Sequence, residues 1–154
     1  MVQMRIKIDD LGDGAVIELL AEHHAEMHLY SPPESIHALD ATSLKDPAII
    51  FWSVWCSGDL AGCGALKELS NTHGEVKSMR TSKAFRRLGV AEMILKHILN
   101  EAKSRSYQRV SLETGTNEAF APAIKLYKKY GFKESVPFGG YKNDPFSTFL
   151  TKEI

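Results

Sequence analysis

Residues 75–105 read EVKSMRTSKAFRRLGVAEMILKHILNEAKSR, and this stretch joins a strand pattern to a helix pattern through a basic loop. Its first seven residues fit a period of two, which predicts a strand. One predicted face carries Glu75, Lys77, Met79 and Thr81, and the other carries Val76, Ser78 and Arg80. Apolar residues at helical spacing then predict a helix that runs to about residue 105: Ala91, Ile94, Leu95, Ile98, Leu99 and Ala102.

Downstream of this stretch the sequence predicts another strand and another helix. Residues 110–114 alternate, which predicts a strand with Glu113 on its more polar face. A helix is predicted over residues 122–130, and Gly131 is placed to end it as a left-handed cap. A strand–helix–strand unit of this kind requires a parallel strand pair. The last predicted elements are two strands: residues 132–136 and 146–151.

Upstream, the sequence predicts a helical region between antiparallel strands. Asp13 is placed to cap a helix, which Ser31-Pro32-Pro33 must end, and a short amphipathic segment follows with Ile36, Leu39 and Leu44. The predicted strands cover residues 4–8, 49–56 and 60–69, with turns at 57–59 and 71–74. The whole order predicts an α/β (α+β) fold, with a mixed, mostly antiparallel sheet and helices on both faces.

Length and charge limit the classes of function. The 154 residues fit a single domain, residues 1–154, with one core. The 19 basic residues balance the 19 acidic ones, so no global field favours nucleic acid or an anionic membrane. No apolar run has the length of a membrane span and charges interrupt the N-terminus, so we expect a cytoplasmic protein. Cys56 and Cys63 fit neither a disulfide framework nor a zinc site, so we expect no metal.

The loop over residues 83–91 has the features of an anion-binding site. The first turn of a helix presents unpaired N–H groups and the positive end of the helix dipole. Gly89 lets an anion approach the backbone because it has no Cβ, and Ala91 is also small. Arg86 and Arg87 add positive charge at the edge where a pyrophosphate would lie. The structural alternative is a basic loop whose glycine only caps the helix.

Two linked motifs resemble those of the GNAT N-acetyltransferases. Arg86-x-x-Gly89-x-Ala91 is similar to the acetyl-CoA signature of that family, and it lies between a strand and a helix as the signature does. The second motif begins at Asn117 and resembles the helix and strand that follow in the family; it continues with Ala123, Leu126, Tyr127, Gly131 and Phe132. In finer detail the sequence resembles a bacterial subgroup of the YsnE type, in three segments: Ser31-Pro32-Pro33-Glu34-Ser35, Gly64-Ala65-Leu66-Lys67-Glu68 and Leu112-Glu113-Thr114-Gly115.

This resemblance implies the GNAT, or acyl-CoA N-acyltransferase, fold, in which the central parallel strands splay apart. It implies acetyl-CoA as co-substrate, with its pantetheine arm paired to the backbone of Met79 and Thr81. Asn117 would hydrogen-bond the pantetheine or phosphate region. The pyrophosphate would be bound by the loop that contains Arg86, Arg87, Leu88, Gly89, Val90 and Ala91.

The resemblance also implies catalytic residues. Tyr127 matches the family tyrosine that protonates the leaving CoA thiolate, and a phenol with a pKa of about 10 can donate to a thiolate as its charge builds. The structural alternative for Tyr127 is a core tyrosine. An alkylammonium acceptor must lose a proton before it attacks, and Glu75 and Glu113 are the candidate bases, with His37 as a third. A structural salt bridge is the alternative for each glutamate.

The acceptor is expected to bind between the segment 30–44, the strand around residues 52–56 and the loop 138–144. Tyr141 could close over the acceptor, although a surface turn is the alternative for its loop. Glu34, Glu75 and Glu113 suggest a cationic acceptor. The predicted function is transfer of acetyl from acetyl-CoA to a primary amine of a small molecule. The alternatives are a non-catalytic acyl-CoA-binding module and a protein N-terminal or lysine acetyltransferase, and edge strands leave room for a homodimer.

Overall fold

The computed structural model describes residues 3–32 and 45–154. The predicted amphipathic segment with Ile36, Leu39 and Leu44 lies outside the described residues, and so do Glu34 and His37. The described strands and α-helices, in chain order, are β1 (Met4–Ile8), α1 (Ala15–Tyr30), β2 (Ile49–Cys56), β3 (Asp59–Ser70), β4 (His73–Thr81), α2 (Val90–Ser104), β5 (Arg109–Gly115), α3 (Ala121–Lys129), β6 (Lys133–Glu134) and β7 (Ser147–Glu153).

The strands of the described residues form a seven-stranded mixed sheet in the order β1-β2-β3-β4-β5-β7-β6. Within this described sheet only β4 and β5 pair in parallel, and α2 forms the crossover between them. The predicted α/β fold with a mostly antiparallel sheet is therefore confirmed. The predicted ends differ slightly: β4 begins already at His73, and the strand predicted over residues 132–136 shortens to Lys133–Glu134.

The start of α1 differs from the prediction that Asp13 caps it. The N-cap is Gly14, which has a left-handed φ of 81° and no side-chain cap. The Asp13 carboxylate still accepts a hydrogen bond from the Ala15 N–H at 3.0 Å, but one residue outside the cap position. The predicted end of the helix at Ser31 is confirmed, since α1 ends at Tyr30.

A β-bulge in β4 overturns the predicted alternation of that strand. Lys77 pairs with Ala65 and Arg80 with Cys63, so the two residues between them face the single residue Gly64. Ser78 absorbs the extra residue with a φ of 56°. Met79 consequently packs on the same core as Val76, and the prediction that Met79 shares a face with Lys77 is wrong.

Helices cover both faces of the sheet, as predicted. The larger core lies between the sheet and α2, with α3 at its edge, and its largest fully buried members include Trp52, Leu66, Ile94, Ile98 and Phe132. Burial of a leucine, isoleucine or phenylalanine side chain in this core contributes about 1.5–3 kcal/mol to the free energy of unfolding. A smaller core lies under α1 on the other face; it consists of Leu11, Val16, Leu19, Leu20, Phe51, Cys63 and Ala65.

The central pair of strands opens along its length. β4 and β5 pair only from His73–Arg109 to Val76–Leu112, which is four residue pairs. β4 nevertheless continues to Thr81, still paired with β3, and β5 continues to Gly115, still paired with β7. The two strands therefore separate beyond Val76 and Leu112, and the predicted splay is confirmed. Such an opening at the carboxyl ends of parallel strands is where α/β sheets bind ligands.

Candidate functional site

The loop before α2 lies at the open end of this splay. Gly89 is the N-cap of α2 with a φ of 82° and no side-chain cap, and the first backbone hydrogen bond of the helix runs from the Met93 N–H to the Gly89 carbonyl. Arg87 also has a left-handed φ, of 65°. A Cβ on Gly89 would meet no atom within 4 Å, so open space adjoins the N–H groups of the first turn. This geometry suits an anion such as a pyrophosphate.

The predicted residues of this loop differ in exposure. Arg86, Arg87, Leu88 and Gly89 are exposed, whereas Val90 is buried in the core below them. Val90 thus anchors the loop, while both arginines remain accessible to solvent. The guanidinium of Arg86 lies 3.7 Å from the Glu26 carboxylate, so α1 restrains one side of the loop.

Glu26 on α1 is the centre of an ion-pair cluster beside this loop. Its carboxylate contacts the Arg80 guanidinium at 2.6 Å and the Lys83 ammonium at 3.6 Å. The hydrogen bond from Arg80 is the largest cause that lowers the pKa of Glu26 from 4.5 to about 2. The cluster therefore ties α1 to β4 and to the loop that follows it.

We expect acid to remove this stabilisation. The folded-state pKa of Glu26 lies below its unfolded value, so its contribution is complete above about pH 4.5 and is lost as the pH falls towards 2. Glu26→Gln should lower the free energy of unfolding at neutral pH, and its difference from the wild type should shrink in acid. Urea unfolding at about pH 7, 4.5 and 3 measures that difference.

Glu134→Gln provides a control, because it removes an exposed pair with Lys128 whose atoms are 3.4 Å apart. This variant should stay close to the wild type at each pH. A Glu26→Gln difference that is as large at pH 3 as at pH 7 would contradict the assignment.

Tyr127 lies on the α2 face of the sheet. Its side chain is 6% exposed and packs edge-to-face on Phe132, with ring centroids 5.8 Å apart. Among the described residues no hydrogen bond to its hydroxyl is found, and burial raises the pKa of Tyr127 above its ordinary value. The phenol is therefore neutral at ordinary pH and retains its O–H as a donor.

Glu75 lies on the opposite face, in a buried triad with Lys77 and Tyr141. The Lys77 ammonium donates to the Glu75 carboxylate at 3.0 Å and to the Tyr141 oxygen at 2.9 Å, and the Tyr141 hydroxyl donates to Glu75 at 2.7 Å. The Glu75 and Lys77 side chains are only 4% and 8% exposed. Burial, followed by the charge of Glu75, raises the pKa of Tyr141, which keeps that hydroxyl protonated.

Glu113 is the first residue of β5 beyond its last pair with β4. It is half-buried, and its charge is near enough to contribute to the raised pKa of Tyr141. The strand alternation places Glu113 on the same face as Ser111, which is the register partner of Glu75. Glu113 thus lies where β4 and β5 begin to separate, on the face opposite Tyr127.

The remaining predicted residues lie around the same opening. Met79 and Thr81 are half-buried on the part of β4 that β5 does not cover. Asn117 is exposed beyond the end of β5, and its side-chain oxygen accepts the Ala119 N–H at 2.9 Å. That bond uses the oxygen and leaves the amide N–H₂ group as the donor that Asn117 can offer.

A cavity of about 660 Å³ adjoins the face of the sheet that carries Glu75 and Lys77. Its lining comes from β3, β4 and the loop before β7: Lys67, Leu69, Glu75, Lys77, Gly139, Gly140, Tyr141, Lys142, Asn143 and Asp144. The loop contribution follows the expected acceptor pocket, but the strand around residues 52–56 does not line this cavity. Trp52 instead faces α2, where its ring contacts His97. Lys67 and Lys77 are absent from the predicted site, because a lone lysine in a strand carries no motif.

The cysteines and the acidic residues add no further site in the described part of the chain. Cys63 is fully buried and its thiol donates to the Ser78 carbonyl at 3.4 Å, and burial raises the pKa of Cys63 to about 12. A thiol in this state is a poor nucleophile. Over residues 3–32 and 45–154, no cluster of His, Cys, Asp and Glu side chains is arranged to hold a metal ion.

In the same described residues, no helix has both the length and the apolar character needed to cross a membrane.

The sequence of the chain is similar to those of known acetyltransferases. The sequence model described as Acetyltransferase (GNAT) family matches residues 15–132. Over 98% of the chain, the sequence is 54% identical to YsnE of Bacillus subtilis, described as an uncharacterized N-acetyltransferase, and covers 100% of it. It is 51% identical to the Escherichia coli protein YedL, which has the same description, over 95% of the chain and 92% of YedL.

Solved structures share the fold. A Klebsiella pneumoniae protein assigned as an acyl-CoA N-acyltransferase superposes with a TM-score of 0.83 at 26% identity, covering 98% of this chain and 97% of that one. A GNAT family acetyltransferase from Elizabethkingia anophelis, solved with acetyl-CoA bound, superposes with a TM-score of 0.71 at 18% identity, covering 98% of both chains. At that identity the second likeness concerns the fold alone.

Proposed function

The chain belongs to the acetyltransferase (GNAT) family, and on that basis we propose that it transfers the acetyl group of acetyl-CoA to the primary amine of a small acceptor. The observation that carries this proposal is the opening between β4 and β5. The loop before α2 follows β4 at this opening, Glu113 lies on one face of the sheet beside it, and Tyr127 lies on the other face. This arrangement supports direct attack of an amine on a bound thioester, with a carboxylate to accept a proton and a phenol to donate one.

We propose that acetyl-CoA lies along this opening. The pyrophosphate would be bound by the N–H groups of the loop that contains Arg86, Arg87, Leu88, Gly89, Val90 and Ala91, since that loop offers unpaired donors beside open space. The pantetheine arm would pair with the backbone of Met79 and Thr81, where β4 has lost its parallel partner. Asn117 would donate its amide N–H to the same cofactor from the end of β5.

The proposed reaction needs no covalent enzyme intermediate. Glu113 accepts a proton from the alkylammonium acceptor, and the neutral nitrogen attacks the thioester carbonyl. Attack leaves a second proton on the positively charged nitrogen of the tetrahedral intermediate. When the C–S bond breaks, the Tyr127 O–H stabilises the departing CoA thiolate by a hydrogen bond and gives it a proton. The nitrogen passes its extra proton to the Tyr127 oxygen through water, which leaves the neutral amide and restores the phenol, and Glu113 releases its proton to solvent.

We propose Glu113 rather than Glu75 as the base, because proton uptake by Glu75 would break a buried ion pair. The Glu75 carboxylate already accepts hydrogen bonds from Lys77 and Tyr141 inside a buried triad. A base in that position would have to give up its ion pair when it takes a proton, which leaves a buried ammonium uncompensated. We therefore assign Glu75 to holding Lys77 and Tyr141 in place, and the proton transfer to Glu113.

Glu113→Gln is expected to lower kcat by about a hundredfold, because the amide cannot accept the acceptor's proton. The dissociation constant of acetyl-CoA should change little. Steady-state thiol release and calorimetry measure the two quantities separately. Glu75→Gln should instead destabilise the protein by about 3–5 kcal/mol, since it leaves Lys77 buried without its counter-charge. An unchanged kcat in Glu113→Gln would remove Glu113 from the mechanism.

Thiol release from acetyl-CoA on a panel of amines tests the proposed function directly. The panel should contain primary amines, amino acids and short peptides, so that a protein terminus or lysine as acceptor is tested together with small molecules. Turnover of a small amine supports the proposal, and turnover of peptides alone contradicts it. Tight binding of acetyl-CoA without turnover of any amine would indicate a binding module.

We further propose that residues 1–154 form one domain, because strands from Met4 to Glu153 share one sheet.

A further inference from the structure

The charges that line the 660 Å³ cavity are not balanced within it. Three lysines and two acidic residues contribute to its wall: Lys67, Lys77, Lys142, Glu75 and Asp144. Which of these charges is available to a ligand depends on the contacts that each side chain already makes.

Glu75 is not available to bind a cation in this cavity. Its carboxylate is 2.7 Å from the Tyr141 hydroxyl and 3.0 Å from the Lys77 ammonium, and both bonds are largely shielded from water. The pair of Glu75 and Lys77 therefore contributes no net charge to the cavity wall. The expectation that Glu75 attracts a cationic acceptor does not hold for this arrangement.

Lys67 and Lys142 are differently placed. Lys67 is the register partner of Glu75 on β3, yet within the described ranges its ammonium group has no ion-pair or hydrogen-bond partner. The same holds for Lys142, which lies on the loop across the cavity. Asp144 offsets part of this charge, and one of its oxygens accepts the Phe146 N–H at 2.8 Å. The cavity thus presents two ammonium groups against one carboxylate.

We propose that this cavity binds a carboxylate of the acceptor through Lys67 and Lys142, so that the acceptor is an amino acid or a related amine with a carboxylate. The inference rests on the proposed function and specifies its substrate class. Lys77 lines the cavity and is the first residue of β4 beyond its last pair with β5, and Glu113 holds the same place on β5. In the proposed complex the carboxylate is anchored in the cavity and the amine is directed along this face towards Glu113. A single negative charge fits better than a phosphate dianion, because Asp144 lies on the same wall.

The experiment compares each common amino acid with its own carboxamide, which keeps the amine and the side chain but lacks the negative charge. The measured quantity is kcat/KM for thiol release from acetyl-CoA. Intrinsic reactivity favours the carboxamide, because its α-amine has the lower pKa and is more often neutral. A preference for the acid therefore reports recognition by the protein. We expect the best amino acid to exceed its carboxamide by about tenfold or more.

Variants of the two lysines identify the source of that preference. Lys67→Gln and Lys142→Gln should each reduce the ratio of acid to carboxamide by about tenfold, because only the acid has a negative charge for these ammonium groups to bind. Lys103→Gln is the matched control, because Lys103 is an exposed lysine at the end of α2 and away from the cavity. It should leave the ratio as in the wild type.

The outcomes separate this inference from the function on which it rests. Turnover of neutral amines and carboxamides with no preference for the acids would overturn the inference and leave the acetyltransferase intact. A preference that survives in both lysine variants would also overturn it, since the carboxylate would then bind elsewhere. Higher turnover of phosphoethanolamine than of β-alanine would indicate that the cavity binds a phosphate and not a carboxylate, which would contradict the proposal. No turnover of any amine, despite binding of acetyl-CoA, would remove both proposals together.

Discussion

Replacement of Tyr127 by phenylalanine is expected to lower kcat by about a hundredfold or more while acetyl-CoA still binds. The ring stays in the core against Phe132, and the lost hydroxyl has no hydrogen-bond partner within the described residues. The fold should therefore be preserved, and the loss should concern the departing thiolate alone. Thiol release gives kcat, calorimetry gives the affinity for acetyl-CoA, and urea unfolding confirms the stability.

Tyr107→Phe is a suitable control for this experiment. Tyr107 is equally buried, but its hydroxyl donates to Glu68 at 2.7 Å, and the residue follows α2 at the end remote from the loop. Its loss should lower the stability by about 1 kcal/mol and leave kcat unchanged. If Tyr127→Phe turned over acetyl-CoA at the wild-type rate, Tyr127 would be a core residue and the thiolate would take its proton from elsewhere.

Gly89→Leu is expected to weaken acetyl-CoA binding by about a hundredfold or more. A side chain at this position enters the open space beside the first turn of α2, where the pyrophosphate would lie. It also strains the backbone, because the φ of 82° disfavours any residue with a Cβ by about 1–2 kcal/mol. Isothermal calorimetry with CoA measures the affinity, and circular dichroism verifies that the variant is folded.

Gly14→Leu is a control that separates backbone strain from the loss of space for the pyrophosphate. Gly14 is the N-cap of α1, has a φ of 81° and is also surrounded by open space, so the same strain applies without a phosphate site. Both variants should lose similar stability, and only Gly89→Leu should lose affinity. Equal affinity in the two variants would show that the diphosphate binds away from residue 89.

Much of the fold follows from local patterns. The alternation in β1 and β2, the apolar stripe of α2 and the left-handed cap at Gly131 each depend on neighbouring residues, and the structure contains all of them. The bulge in β4 does not follow from such patterns. It is a register relation between Ser78 and Gly64, which are distant in sequence, and Gly64 leaves room for this packing, because a Cβ there would lie 2.5 Å from the Ile94 Cγ2 and 2.6 Å from the Met79 sulfur.

The same distinction between local patterns and contacts of distant residues applies to the candidate site. The loop around Gly89 and the helix that carries Tyr127 are continuous motifs, so the resemblance to the GNAT family found them, and that resemblance is confirmed. The contact between Lys77 and Tyr141 joins residues 64 positions apart, and no local pattern encodes it. Glu75 and Glu113 look alike in sequence, and only the three-dimensional contacts show that Glu75 is part of a buried triad with Lys77 and Tyr141.

The short seam between β4 and β5 divides the described sheet into two antiparallel halves, joined across the middle by four residue pairs. The proposed phosphate loop follows the first half, and the helix with Tyr127 belongs to the second. A cofactor that lies in the gap would touch both halves and act as an added strand between them. Its binding energy would then also hold the halves in one alignment, and the unliganded protein would be the state in which they rock most easily against each other.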